Sequence, residues 1–450
     1  MKPLLSLFLL TTAVVCLSSK AHAVSNDDTV TLEQYGAAGN GVQDDSKALQ
    51  TAIRSGKTIL VNDKTYLINS NIYLYGNTSI IGKTKSVFKI TANLANADGK
   101  NFWFSIGIDG KGGVVNSWNG KLSNITFKAT GDAAFNYCLN LFNVSGVSIS
   151  NCVFDWREIR LSGVSGDPRG LSIESVNNAA WCRSSSIKNV EIFQNKVLHK
   201  EDASGCEGIG ISNGSNIKIH DNYVYGVADD AIAVHNTNGF EITNNKCYST
   251  QGRIMMENSK NGVVNGNYME RIPRQVSGGF NGGGALCMVE IGLANKNAYK
   301  PSNIQITNNY FKLPSGVPSP TYMLRAMAVD NCVISGNTFE CNTSNGVSAI
   351  EIGMGNLRLI TKNKRTEGMS DNDIDDFISP SNVTVTNNIC TGTNILGIYE
   401  TGPKNKFKGF FKYESNTAKD YRINSDRAIF SNNKAGKVLT NSKKQVSTGN

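Results

Sequence analysis

Ile219-His220-Asp221-Asn222-Tyr223, Ile242-Thr243-Asn244-Asn245-Lys246 and Val264-Asn265-Gly266-Asn267-Tyr268 are three versions of one phrase. Each sets an apolar residue two positions before a turn-former and follows the turn with Asn. The phrase continues upstream as Ser123-Asn124-Ile125-Thr126-Phe127 and Ser150-Asn151-Cys152-Val153-Phe154. Downstream it returns as Ile306-Thr307-Asn308-Asn309-Tyr310, Ile334-Ser335-Gly336-Asn337-Thr338 and Val385-Thr386-Asn387-Asn388-Ile389. Matching positions fall at 124, 151, 221, 244, 266, 308, 336 and 387, with adjacent steps of 22 to 28 residues. A period of that size, with two-residue alternation and almost no helical pattern, describes stacked β-coils. One coil cannot bury its own apolar residues, so neighbours share a core. Asn at the repeated turn tolerates left-handed backbone and can hydrogen-bond to the Asn above it. Leucine-rich repeats lack this Leu spacing, and no Trp-Asp signature marks propeller blades. The expected fold is all-β, a single-stranded right-handed parallel β-helix (β-solenoid).

The rest of the chain fits around that stack. Met1-Lys2-Pro3, the apolar run from Leu4 to Leu17 and Ala21-His22-Ala23 predict a signal peptide over 1–23, cleaved near Ala23. Residues 24–64 are expected to form an N-terminal cap, 65–395 the β-helix, and 396–450 a basic C-terminal segment of final coils or cap. A secreted protein, extracellular or periplasmic, is expected. Beyond the leader no apolar run approaches the roughly 20 residues of a membrane span. The 450 residues carry 45 Lys and Arg against 36 Asp and Glu. After the leader the balance is +7, and 402–450 alone holds 11 basic against 3 acidic residues, +8. The body is therefore about −1, and the basicity is local. Nine cysteines follow the leader, an odd number without Cys-x-x-Cys spacing, which argues against a metal cluster. Most sit beside Ile and Val and read as small buried hydrophobes, although secretion would permit disulfides, with Cys332 and Cys341 the nearest pair.

A capping motif lies at Tyr35-Gly36-Ala37-Ala38-Gly39-Asn40-Gly41-Val42-Gln43-Asp44-Asp45-Ser46-Lys47-Ala48-Leu49-Gln50-Thr51-Ala52-Ile53. Its second half predicts a short helix with Ala48, Leu49, Ala52 and Ile53 on one face and Asp44-Asp45 at its positive end. The motif resembles the opening of the pectate-lyase-like superfamily of secreted polysaccharide lyases, hydrolases and phage tailspikes. The resemblance covers about 30–395, and it implies fold and capping without fixing the chemistry.

Aligning one strand per coil stacks the inward pairs Leu171/Ile173, Ile209/Ile211, Ile232/Val234 and Ile254/Met256. Glu174, Ser212, His235 and Glu257 then share an outward column, which Glu290, Asp330 and Glu351 extend. Arg169, Glu207, Asp229, Asp230 and Arg253 precede these strands. Coil stacking turns 22-residue spacing into neighbours about 4.8 Å apart. Like charges at that pitch repel unless a cation, His235 or Arg253 holds them.

Glu207-Gly208-Ile209 and Ala228-Asp229-Asp230-Ala231-Ile232-Ala233-Val234 resemble the first two active-site motifs of polygalacturonase-type hydrolases. In those enzymes carboxylates on adjacent coils act as acid and base of an inverting displacement. The family's third motif, Gly-His-Gly, falls on Gln251-Gly252-Arg253, and its Arg-Ile-Lys motif has no counterpart. The other chemistry of this fold is β-elimination from a uronic acid. It needs the carboxylate neutralised by Ca²⁺ or Arg and a base for the C5 proton. Arg253 and His235 are the candidate bases among Glu207, Asp229 and Asp230, and Asp230 with Glu257 are the candidate Ca²⁺ ligands. Glu257, Arg169, Glu174, Trp156 and Arg157 are expected to bind substrate, Trp156 by stacking on a sugar. The salt bridge is the plainer reading of Arg253, and burial the plainer reading of any Trp.

The expected function is secreted depolymerisation of an acidic, uronate-containing extracellular or biofilm-matrix polysaccharide, with elimination ahead of hydrolysis. A non-catalytic carbohydrate-binding solenoid is the third reading. The expected partner is the acidic polysaccharide, with no nucleic acid and no membrane, and the chain is expected to act as a monomer. Ca²⁺ is the one cofactor considered.

Overall fold

The two-residue alternation of the repeat becomes strands that turn one face to a common interior, and the Asn/Gly phrases become the corners between them. A computed structural model of the chain describes residues 28–94, 102–106, 117–133, 135, 137–141, 144–159, 169–173, 187–199, 208–227, 230–249, 253–273, 285–290, 299–317, 319–355, 370–403, 407–425 and 428–440. The signal-peptide expectation, Glu174, Glu207 and Asp229 lie outside these residues, as does the side chain of Arg169. Thirty-seven strands join in one continuous parallel ladder among the described residues, a right-handed parallel β-helix. One coil runs through Ile209–Ser212, Gly214–His220 and Tyr223–Val227 before the next begins at Ile232–His235. Its three strands stand in register on the coil above, pairing Ile209 with Ile232, Ile217 with Phe240 and Val224 with Cys247. The solenoid therefore has three sheets, here the first, second and third in the order the chain visits them.

The inward residues make one unbroken core. Ile209, Ile232, Ile254, Cys287 and Leu324 follow one another in register down the first sheet. The described cysteines are free thiols, buried except for half-buried Cys390. Burial pushes Cys247 up to about 12, so these thiols behave as small apolar side chains. Cys332 and Cys341 belong to strands of different sheets.

The repeated phrase divides its work between two adjacent residues. The turn position itself is left-handed, at Asn124, Asn151, Asp221, Asn244, Asn308 and Asn387, with Gly266 and Gly336 taking the same conformation. The following Asn forms the ladder. Asn195, Asn222, Asn245, Asn267, Asn309, Asn337, Asn388 and Asn416 each donate from Nδ2 to the next Oδ1 at 2.9–3.0 Å, the last of them to Asn433. Each amide oxygen also accepts a backbone N–H from the coil before it, Cys152 for Asn195 and the preceding Asn thereafter, as Asn267 does for Asn245 at 2.9 Å. These side chains sit inside the corner, where an unmatched amide would be costly.

The predicted helix forms over Ser46–Arg54, with Ala48, Leu49, Ala52 and Ile53 buried beneath it. The two aspartates divide differently from the expectation. Asp44 accepts the Ser46 N–H at 2.9 Å, whereas Asp45 turns back to accept from Ala38 and Gly39, at 2.7 and 3.1 Å. Asp45 thus fixes the approach to the helix rather than its first turn. No helix among the described residues is long and apolar enough to cross a membrane. At the C-terminal end, strands Lys408–Glu414, Thr417–Ile423, Ala428–Ser431 and Lys434–Thr440 pair in register, so the basic segment builds further coils.

Candidate functional site

The outward face of the first sheet carries the charged strip. Parallel register places Ser212, His235, Glu257 and Glu290 in one column on four successive coils. His235 Nδ1 lies 3.0 Å from Glu257 Oε2, and both side chains are largely buried. A carboxylate only accepts, so Nδ1 carries the hydrogen and Nε2 is the basic nitrogen in that tautomer. The column does not continue as expected. Glu351 lies opposite Arg325 and two residues short of the column, whose place on that strand belongs to Gly353. Asp330 opens a strand of the second sheet, opposite Ser302. Long insertions between coils stretch the repeat after 257, and simple counting then slips.

Beside this column, Arg253 Nε reaches Asp230 Oδ1 at 2.8 Å. The backbone fixes the pair on adjacent coils, because Ala231 N donates to the Arg253 carbonyl at 2.9 Å. Asp230 is 3% exposed, so its ionised form depends on that guanidinium. Arg253 so paired stays protonated, which removes it from the candidate bases. A second pair flanks the site: Arg325 Nε meets Glu351 Oε2 at 2.8 Å, and Thr401 donates to Glu351 Oε1 at 2.7 Å.

Glu290 sits among all of these groups. Burial raises its carboxyl to about 7, against the opposing pull of Arg253, and Glu257 raises it further while Arg325 lowers it. A carboxyl that exchanges its proton near neutrality, among other acidic side chains and guanidinium groups, is equipped for proton transfer. Arg271 lies buried behind Arg253, and that burial lowers it to about 10. Sequence reasoning noticed Glu290 only as a continuation of the strip and missed Arg325 and Arg271. The step from 257 to 290 is 33 residues, so no 22-residue spacing announced it.

Other expectations separate from this centre. Trp156 is 2% exposed and packs edge-on to Phe135, with ring centroids 5.3 Å apart. That burial corrects its assignment as a sugar-stacking residue: the indole faces the core. Arg157 closes a bidentate bridge on Asp155, with Nε–Oδ1 at 2.9 Å, on a strand of the third sheet. Arg169 stands at the start of its strand, opposite Tyr137 in the first sheet and two coils before His235. Asp230 and Glu257 do not fit the expected Ca²⁺ site. Each has already committed an oxygen, to Arg253 and to His235, and a guanidinium beside Asp230 repels a divalent cation. No cluster of three or more His, Cys, Asp or Glu able to hold a metal occurs among the described residues.

The family described as rhamnogalacturonase A/epimerase, pectate lyase-like, matches residues 30–281, over half of the chain. Among solved structures, the chain resembles the A-module of the mannuronan C-5 epimerase AlgE6 from Azotobacter vinelandii, with 15% identity, a TM-score of 0.47 and coverage of 92% of this chain and 100% of that one. The catalytic unit of a GH87 alpha-1,3-glucanase from Streptomyces thermodiastaticus gives 14% identity, a TM-score of 0.49 and coverage of 86% and 68%. The exopolygalacturonase of Thermotoga maritima gives 10% identity, a TM-score of 0.48 and coverage of 86% and 91%. No curated protein matches the chain in sequence.

Proposed function

From the premise that this chain belongs to the rhamnogalacturonase A/epimerase, pectate lyase-like family of polysaccharide-active β-helices, we propose that it is an exported depolymerase of a uronate-containing polysaccharide and works by β-elimination. The observation that carries the reading is the histidine–carboxylate pair His235–Glu257 between the guanidinium of Arg253 and the near-neutral carboxyl of Glu290. Elimination has three demands. The substrate carboxylate must be neutralised, and Arg253 with Arg325 supplies positive charge on the same face. The C5 proton must leave, and His235 Nε2 is the base, its imidazolium stabilised by Glu257. As the C4=C5 bond forms and the C4–O bond breaks, the departing oxygen takes a proton, which protonated Glu290 can give. No Ca²⁺ is needed in this scheme, because the guanidinium groups take its role.

Hydrolysis is favoured by one observation, the raised carboxyl of Glu290 on the same strip as ionised Asp230. That is the pairing of acid and base an inverting glycosidase uses. A single experiment separates the readings. The protein is incubated with polygalacturonate, alginate and a bacterial uronate exopolysaccharide while far-ultraviolet absorbance and reducing ends are followed together. Elimination gives both signals in step, since the new double bond is conjugated to the carboxyl group. Reducing ends without absorbance would overturn elimination and leave hydrolysis, and no product from any polymer would overturn both.

A further inference from the structure

The third sheet, away from the charged strip, carries a second column of outward side chains. Register runs through Thr126, Val153, Lys196, Tyr223, Lys246, Tyr268 and Tyr310 on successive coils. Six coil steps of about 4.8 Å make this roughly 29 Å long. Tyr225 and Tyr248 fill the neighbouring column, and the rings zigzag between the two. Centroids are 5.4 Å apart for Tyr223 and Tyr248, 5.6 Å for Tyr248 and Tyr268, and 5.6 Å for Tyr268 and Tyr310. All five rings are half-buried, and successive rings are tilted by about 40° until the last pair.

The carboxylates of this face are already engaged. Glu270 is bound by the Tyr268 hydroxyl and by Lys312 at 3.3 Å, and Glu340 by the Tyr310 hydroxyl and by Asn342 at 3.0 Å. Lys196 and Lys246 are exposed and form no ion pair among the described residues. They stand two coils apart, roughly 10 Å, with Tyr223 between them. At the N-terminal end the same column runs into an open groove of about 680 Å³, lined by Asp63, Lys83, Thr84, Asn124, Thr126 and Asn151 among others.

We propose that this face is a second glycan-binding surface, holding an anionic polysaccharide chain parallel to the solenoid axis with one end in the groove. The pitch of the coils is of the order of one sugar unit, so an axial chain meets an equivalent step at every coil. Tyrosine supplies apolar ring surface and a hydroxyl at low conformational cost. The ammonium groups of Lys196 and Lys246 face carboxylates on alternate units, and the left-handed Asn corners offer amides to sugar hydroxyls. A neutral glycan would leave both lysines unanswered, and a second copy of this chain would meet the same exposed positive charge. The surface is independent of the chemistry on the first sheet.

The test is electrophoresis of the full chain through gels containing polygalacturonate, alginate or dextran, with melting temperature followed for each variant. The acidic polymers should retard the wild type, and dextran should not. Lys196→Glu/Lys246→Glu, both on exposed side chains, and Tyr248→Ala/Tyr268→Ala should each weaken retardation at least tenfold in apparent Kd. Asp230→Asn/Arg253→Gln on the first sheet should abolish turnover yet retain the share of the retardation that the third-sheet variants lose. Equal retardation of the wild type and both third-sheet variants would overturn the proposal, as would retardation by dextran alone. Loss of retardation in the first-sheet variant alone would place binding there instead. Retention without turnover would support this surface while counting against depolymerisation.

Discussion

Glu290 stands in register with Glu257 on the adjacent coil, and Glu257 in turn holds His235 at 3.0 Å. Burial makes Glu290 costly to ionise, and repulsion from a second acidic group at coil spacing adds to that cost. The structure resolves the conflict by letting Glu290 keep its proton to about pH 7 while Glu257 serves the imidazole. Two glutamates that look equivalent in sequence thus take different partners and different work.

That arrangement makes a pH prediction. A carboxyl raised from 4.5 to about 7 binds its proton more tightly when folded, so its contribution to stability is full below about 4.5 and is lost as pH rises towards 7. The loss is on the order of 3 kcal/mol at most. Glu290→Gln should flatten the stability curve across that window, measured as urea midpoints from pH 4 to 8. It should also lower kcat by about 10²–10⁴ and remove the limb of the pH–rate profile near 7. An unchanged profile would take Glu290 out of the reaction.

Arg253→Ala should abolish turnover, but at a cost to the fold. Asp230 is buried, and removing its guanidinium partner strands a charge, which is worth about 3–5 kcal/mol. Asp230→Asn/Arg253→Gln should recover most of that stability without recovering activity. Chemical denaturation of the three proteins checks the first point, and kcat/KM checks the second.

How far the sequence could be read depends on what each feature required. The coil register was legible wherever steps stayed at 22–28 residues, because inward pairs such as Ile232/Val234 and Ile254/Met256 need only alternation. The Asn phrase carried its own chemistry, although which of its two residues twists and which bonds required coordinates. Beyond Glu257 the insertions displace the count, so even spacing puts Glu351 and Asp330 in a column that Glu290 alone continues. Trp156 failed for another reason: residue type says what a ring can do, and only packing against Phe135 and Phe154 says where it points. Paired charges such as Arg325–Glu351 have no local sequence signal, since their partners lie a whole coil apart.

The asparagine ladder should be a stability element. Replacing Asn267 with Ala removes the acceptor for the Asn245 N–H and Nδ2, and leaves the Ile242 carbonyl without its 2.8 Å donor. Each buried group left unmatched costs about 1–3 kcal/mol. Asn267→Ala should therefore lose several kcal/mol of unfolding free energy, and Asn267→Asp should lose a comparable amount because the donor disappears. A midpoint shift under 1 kcal/mol in either variant would mean the corner relaxes around water.

The basic C-terminal segment yields the last prediction. Its +8 charge invites the idea of a detachable arm that attracts polyanions. However, Tyr413 and Ser425 from this segment enclose buried Glu400, donating to Oε1 at 2.6 and 2.8 Å, while the Asn424 N–H donates to Oε2 at 2.6 Å. Tyr421 is fully buried with them. Truncation after Thr401 would leave that carboxylate without these donors and bare the inner faces of Val383 and Val385, which stack on Phe411 and Tyr413. It should lower the melting temperature sharply, and any loss of activity should then fall on long and short substrates alike. Charge is tested separately, by changing exposed Lys419, Arg422, Lys434 and Lys437 to Gln in the full chain. That variant should keep its melting temperature and raise KM for long acidic polymer more than for short oligomers, with a weaker salt dependence than the wild type. If KM and salt dependence are unchanged, the positive charge has no part in capture and the segment serves only to close the solenoid.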